Sequence, residues 1–92
     1  MEDRPKRLLL VEDEESLRSS LRLNFELEGY DVTTASRGSD ALERLRGARF
    51  DGVVLDVMLP DVDGFTICET MRLEGNQTPV LFLTARTLPQ ER

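Results

Sequence analysis

Hydrophobic residues along the chain occur in two patterns that alternate from the amino to the carboxyl end. Continuous apolar runs at residues 8–11, 53–55 and 79–83 are typical of strands buried on both faces of a sheet. Between these runs, apolar residues recur every three or four positions, as helices with one buried face require. The pattern therefore predicts strands and helices in alternation.

The first predicted helix shows this spacing most clearly. It carries Leu17, Leu21 and Phe25 on one face and Arg18 on the opposite face, and Gly29 ends it. The other predicted elements between the apolar runs are a strand at residues 30–34, a helix at 38–46, a strand at 50–59 and a helix at 65–74.

The fold class follows from this order of elements. Apolar strands separated by helices predict a parallel sheet with helices on both faces, so the chain is expected to be an α/β protein of the doubly wound type. A length of 92 residues allows one domain, which we place at residues 1–92. In the last helix, Phe65, Cys68 and Met71 form the predicted apolar stripe, and Cys68 and Met71 are expected in the core.

Composition excludes several kinds of function. The formal net charge of -6 at pH 7 argues against contact with nucleic acid, which needs clustered Lys and Arg. The absence of histidine excludes a phosphohistidine and an imidazole base. Cys68 is the single cysteine, which excludes an internal disulfide and suits a reducing compartment. The first apolar run is too short for a signal peptide or a membrane span, so we expect a cytoplasmic protein.

Acidic residues lie at the predicted carboxyl ends of the strands, where doubly wound sheets bind their ligands. Glu12 and Asp13 come after the first strand, and Asp56 follows the apolar run of the third. Converging carboxylates are unfavourable unless a cation neutralises them. Mg²⁺ binds through oxygen, so we predict a magnesium site made by these three carboxylates and the backbone carbonyl of Met58.

Asp56 is also suited to act as a nucleophile. A carboxylate oxygen in line with a phosphodonor, beside bound Mg²⁺, can accept the phosphoryl group as an acyl phosphate. Thr84 follows the fourth strand, and its hydroxyl can hydrogen-bond a phosphoryl oxygen only after transfer. Such a contact is the ingredient of a conformational switch.

The residues alone leave other interpretations open. Acidic residues before a helix commonly cap its amino end, so Glu12 and its acidic neighbours also fit capping. Thr84 is equally an ordinary strand residue. A phosphatase with an aspartate nucleophile needs a second acid two residues later, where this chain has Met58. A dinucleotide-binding domain needs a G-x-G-x-x-G motif after the first strand, and the sequence has none.

Three segments resemble the receiver domains of two-component response regulators: residues 10–14, 54–64 and 79–86. The resemblance implies a flavodoxin-like sheet in strand order 2-1-3-4, direct binding of Mg²⁺ by Asp13 and water-mediated binding by Glu12. It also implies phosphorylation of Asp56 by a sensor histidine kinase, with Thr84 as the switch residue. The third and fourth strands are most similar to receivers that precede a winged-helix DNA-binding domain in transcription regulators.

The carboxyl end departs from the family pattern. A complete receiver has a fourth helix, a fifth strand that carries a lysine and an aromatic switch residue, and a fifth helix. The only lysine here is Lys6, before the first strand. We therefore expect an incomplete receiver, whose fourth strand exposes an apolar edge and promotes self-association. It is expected to be a phosphoacceptor rather than an enzyme, with at most self-phosphorylation from small phosphodonors. The alternative is a truncated fragment or interaction module that no longer signals.

Overall fold

The computed structural model describes residues 4–83 of the chain. Its elements are β1 (Arg7–Val11), α1 (Glu15–Leu27), β2 (Asp31–Ala35), α2 (Gly38–Gly47), β3 (Gly52–Asp56), α3 (Gly64–Leu73) and β4 (Val80–Leu83). The four strands form one parallel sheet in the order β2-β1-β3-β4. The predicted α/β, doubly wound, flavodoxin-like fold and its strand order are confirmed. No helix within these residues has the length and apolar character needed to cross a membrane.

The core is divided unequally between the two faces of the sheet. On one face, side chains of β1 and β3 pack with those of α2 and α3 in a cluster of ten buried residues that includes Leu9, Leu55 and Ile67. On the other face, the buried cluster consists of three residues, Leu10, Val32 and Val54, and no residue of α1 is fully buried. Residues 8–11 of β1 and 53–55 of β3 are apolar at every position because helices cover both faces of the sheet there.

The apolar stripe of α3 differs from the prediction. Its buried residues are Gly64, Ile67 and Met71, whereas Phe65 is exposed and Cys68 is only partly buried. The reason is helical geometry: at 3.6 residues per turn, Phe65 lies about 120° around the helix from Met71, but Ile67 lies only about 40° away. The prediction was correct for Met71 and wrong for the other two residues.

Candidate functional site at the carboxyl ends of the strands

Parallel pairing brings three acidic residues together at one edge of the sheet. Val11 of β1 is in register with Leu55 of β3, so each strand ends beside the other. One carboxylate oxygen from each of Glu12, Asp13 and Asp56 lies within 4.8 Å of the other two. The structure thus joins the three carboxylates that the sequence predicted to converge.

Two of these three carboxylates are unusually well buried for charged groups. Glu12 is 0% exposed and Asp56 is 1% exposed, while Asp13 is partly exposed. Burial removes water from charged oxygens, and like charges at this distance repel, so the arrangement costs free energy unless a cation compensates it. A set of carboxylate oxygens only is the donor set that a hard divalent cation such as Mg²⁺ prefers. The residues therefore fit that ion.

The turn between β1 and α1 separates the two roles that the sequence left open for its acidic residues. Glu14 caps the helix: its Oε1 accepts a hydrogen bond from the Leu17 N–H at 2.7 Å. Glu12 instead points into the site, and its Oε2 accepts from the Glu14 N–H at 2.9 Å. Glu14 is thus the capping residue. Glu12 belongs instead, with Asp13 and Asp56, to the group of three acidic residues at the site, which we call the buried acidic group.

Arg18 is a residue of this site that the sequence did not reveal. One of its guanidinium nitrogens, Nη1, donates to the backbone carbonyls of Glu12 at 3.0 Å and of Asp13 at 3.3 Å. The sequence placed Arg18 on the polar face of the first helix, away from the site. The available signal was its distance along the chain, because a long side chain in the first turn of a helix can reach the preceding loop.

The loop after β3 is held against the backbone of Asp56. The Gly64 N–H donates to the Val57 carbonyl at 2.8 Å, and a Cβ atom on Gly64 would lie only 2.5 Å from the Asp56 carbonyl oxygen. The Met58 N–H donates to Oδ1 of Asp56 at 3.3 Å. Gly64 therefore allows close packing beside the site, a role beyond that of a turn residue.

The same loop is also connected to the amino end of α2. Oδ1 of Asp61 accepts from the Gly38 N–H at 2.7 Å, and Oδ2 accepts from the Ser39 N–H at 3.0 Å. The hydrogen bond from Ser39, together with those from Gly38 and Val62, holds the pKa of Asp61 well below its ordinary value. Asp61 is thus an acid whose charge backbone donors satisfy.

Three further residues figured in the sequence predictions: Thr84, Lys6 and Met58. Thr84 lies outside the described residues, although Leu83, immediately before it, is in register with Asp56. Lys6 precedes β1 at the opposite edge of the sheet, as expected. The carbonyl of Met58 stays a prediction as a metal ligand.

The comparison with known protein families decides the class of this chain. The sequence model described as "Response regulator receiver domain" matches residues 8–92. The chain belongs to this family. The match favours a two-component receiver over the phosphatase, dinucleotide-binding and interaction-module alternatives, and it agrees with the strand order and with the acidic group of this receiver domain.

Individual relatives include regulators of transcription. The receiver domain is 43% identical over 88 residues to "Response regulator MprA" of Mycolicibacterium vanbaalenii, which covers 96% of this chain and 38% of that protein. It is 46% identical over 81 residues to "Alkaline phosphatase synthesis transcriptional regulatory protein PhoP" of Bacillus subtilis, covering 88% of this chain and 34% of that protein. The chain therefore spans little more than a third of the length of these relatives.

A solved structure shows the same fold with a ligand. The response regulator protein TrrA from Thermotoga maritima, in complex with Mg²⁺–BeF, superposes with a TM-score of 0.84 and 32% sequence identity. The match covers 89% of this chain and 71% of TrrA.

Proposed function

We propose that residues 1–92 form a single receiver domain that accepts a phosphoryl group on Asp56 with the help of Mg²⁺. The observation that carries the proposal is the convergence of three carboxylates at the end of β3, with Asp56 almost completely buried among them. Family membership supports the same function. The Mg²⁺–BeF complex of TrrA supports the choice of ion.

In the proposed site, each acidic residue has its own role. Asp13 and Asp56 would bind the ion directly, Glu12 would hold it through water, and Met58 would contribute its backbone carbonyl. Bound Mg²⁺ would neutralise the charge on the transferring phosphoryl oxygens. The hydrogen bond from Glu14 N–H to the Glu12 carboxylate orients the water-binding group.

Phosphorylation is a transfer to a carboxylate oxygen of Asp56. That oxygen forms a bond to phosphorus while the bond from phosphorus to the donor breaks, which yields an acyl phosphate and the free donor. We propose that the physiological donor is the phosphohistidine of a sensor histidine kinase. Small phosphodonors such as acetyl phosphate can replace it, so the chain phosphorylates itself without being an enzyme in the ordinary sense.

Thr84 is the proposed switch residue of this receiver domain. It directly follows Leu83 in the sequence, and Leu83 is in register with Asp56 in the pairing of β4 with β3. A hydroxyl there can donate to a phosphoryl oxygen that exists only after transfer, and this gives the phosphorylated state an additional contact.

Intact mass after incubation with acetyl phosphate and MgCl₂ tests the proposal. We expect the mass to rise by one phosphoryl group, and we expect no rise in Asp56→Asn or with the Mg²⁺ chelated by EDTA. Asp51→Asn removes a carboxylate at the opposite edge of the sheet and should retain phosphorylation. No mass increase in the wild-type chain at saturating donor would reject the acceptor function and favour the fragment that no longer signals.

The relatives suggest the setting in which the receiver domain works. MprA and PhoP are regulators of which this chain matches about a third, so we propose that it is the amino-terminal part of a cytoplasmic transcription regulator. The net charge of -6 supports the absence of direct nucleic-acid contact by this domain. Any DNA binding would then belong to another part of the parent protein.

The outer edge of β4 supports a proposal about self-association with a second copy of the chain. Within residues 4–83 no strand pairs with that edge, and Leu81 is 61% exposed. Exposed strand edges with apolar side chains pair readily.

Light scattering should show a mass that rises with concentration, and Leu81→Lys should reduce the rise. Leu73→Lys, at an exposed site on α3, is the control, and a monomeric mass at all concentrations would contradict the proposal.

A further inference from the structure

Two carbonyl groups of the β1–α1 turn share one hydrogen-bond donor, the side chain of Arg18. The turn leaves the sheet at Glu12 and enters α1 at Glu15, so two of the acidic residues lie on a short connection. Nη1 of Arg18 donates to both the Glu12 and the Asp13 carbonyl, at 3.0 and 3.3 Å. A charged donor makes these hydrogen bonds stronger than those between neutral groups.

We propose that Arg18 is a positioning residue for the acidic site. It holds the β1–α1 turn in the conformation that brings the carboxylates of Glu12 and Asp13 to Asp56. As far as it concerns cation binding, this inference rests on the proposed function. Arg18 is not itself a ligand, since its guanidinium carries only donors and contacts the backbone of the turn.

The other contacts of the turn explain why the arginine is needed. The N–H groups of Glu14 and Leu17 are bound by acidic side chains, of Glu12 and Glu14 respectively. The carbonyls of Glu12 and Asp13 face Arg18 instead. Side-chain acceptors thus fix the N–H groups, and the partly buried guanidinium of Arg18 fixes the carbonyls. Without that guanidinium, the peptide groups of Glu12 and Asp13 lose their common partner.

The positive charge of Arg18 and its hydrogen bonds to the turn predict opposite effects on Mg²⁺ binding when Arg18 is removed. A positive charge near a cation site repels the incoming Mg²⁺, so if Arg18 acted only through its charge, removing it would strengthen binding. If Arg18 positions the carboxylates, removing it weakens binding in spite of the lost repulsion. The sign of the change therefore separates the two effects.

Titration of the full chain with MgCl₂ by isothermal calorimetry measures that sign. We expect Arg18→Ala to raise the dissociation constant for Mg²⁺ about tenfold, as loss of groups that orient metal ligands commonly does. Arg18→Lys keeps the charge but has no planar fork, and we expect it to raise the constant roughly threefold. Arg22→Ala removes the same side chain one turn further along α1, where it forms an exposed ion pair with Glu26, and should change the constant less than about twofold.

Unchanged or tighter binding by Arg18→Ala would overturn the inference. If Arg18→Ala does not fold in a thermal unfolding control, Arg18→Lys decides alone: weaker binding supports positioning, and equal or tighter binding rejects it. Amide hydrogen exchange at residues 13–17 without Mg²⁺ gives a readout that needs no ion. Faster exchange in the Arg18 variants than in Arg22→Ala supports the inference, and equal exchange rejects it.

Different results would refute the proposed function and the proposed role of Arg18. A wild-type chain that binds no Mg²⁺ refutes the proposed function, and the exchange measurement then decides whether Arg18 holds the turn. A wild-type chain that binds Mg²⁺ with the same affinity as its Arg18 variants keeps the proposed function and refutes only the role of Arg18.

Discussion

Charged residues are arranged differently at the two ends of the parallel strands, which we call the carboxyl edge and the amino edge of the sheet. At the carboxyl edge, Glu12 and Asp56 are buried together with the same sign of charge. At the amino edge, the charges are mixed in sign and at least partly exposed: Oδ2 of Asp51 accepts from the Arg7 N–H at 2.7 Å, and the Arg7 guanidinium lies over the Phe50 ring. Mixed surface charges contribute little and need no ligand. Buried charges of one sign are costly to hold together, and this difference supports the proposal that the carboxyl edge is the functional one.

Gly64→Ala should give the largest effect and should act at the carboxyl edge alone. The added Cβ would meet the Asp56 carbonyl oxygen at 2.5 Å and the Val57 Cα at 3.0 Å, so the backbone at the end of β3 must move. We expect a loss of about 2–3 kcal/mol in the free energy of unfolding, measured with urea, and reduced phosphorylation of Asp56.

Gly47→Ala is the matched control near the amino edge. It stands at the end of α2, and a Cβ atom there would meet nothing within 4 Å. We expect a change of less than about 0.5 kcal/mol. Equal losses in the two variants would mean that the close packing at Gly64 does not distinguish the edges.

The sequence predicted the fold and the convergence of three carboxylates. It did not predict the hydrogen bonds that hold the loops around those carboxylates in place. Continuous apolar runs predict buried parallel strands, and parallel pairing then requires Glu12 and Asp56 to meet. Phe65 and Cys68 were misplaced because a spacing of three residues drifts around a helix. The roles of Arg18 and Asp61 depend on which backbone groups a side chain reaches across a loop, and hydrophobic patterns carry no information about that.

Saturating Mg²⁺ should stabilise the chain only when the carboxyl edge is intact. At a hundredfold excess over the dissociation constant, binding to the folded state adds about 2.7 kcal/mol to the free energy of unfolding. We expect this gain in the wild-type chain and in Asp51→Asn, and we expect most of it to disappear in Asp13→Asn. Urea unfolding with and without MgCl₂ measures it. A full gain in Asp13→Asn would remove Asp13 from the metal site.

Without Mg²⁺, the same two substitutions should change stability in opposite directions. Asp13→Asn removes one of three neighbouring negative charges, and relief of repulsion should raise the free energy of unfolding by about 1 kcal/mol. Asp51→Asn weakens the acceptor of the Arg7 N–H and should lower it by about 0.5 kcal/mol. Both variants lose one negative charge, so the comparison in EDTA is matched. A loss of stability in both would show that other contacts of Asp13 outweigh charge repulsion at the carboxyl edge.

Asp61 sharpens the comparison because it is an acid near the carboxyl edge that needs no cation. Its pKa in the folded chain lies below the ordinary value of 3.8, chiefly because of the Ser39 N–H, so its carboxylate stabilises the fold above pH 3.8. As the pH falls below that value the unfolded chain binds a proton first, and the contribution is lost. Asp61→Asn should therefore be less stable than the wild-type chain at pH 7, and the difference should shrink by pH 3.

Urea unfolding in EDTA at the two pH values measures this difference, with Asp40→Asn, an exposed acid in the first turn of α2, as the control for loss of one charge. Because the measurement excludes Mg²⁺, it separates an acid satisfied by backbone donors from the acids that we propose as metal ligands. A difference that stays constant from pH 7 to pH 3 would show that Asp61 acts through its shape and not through its charge. The distinction between Asp61 and the buried acidic group would then fail.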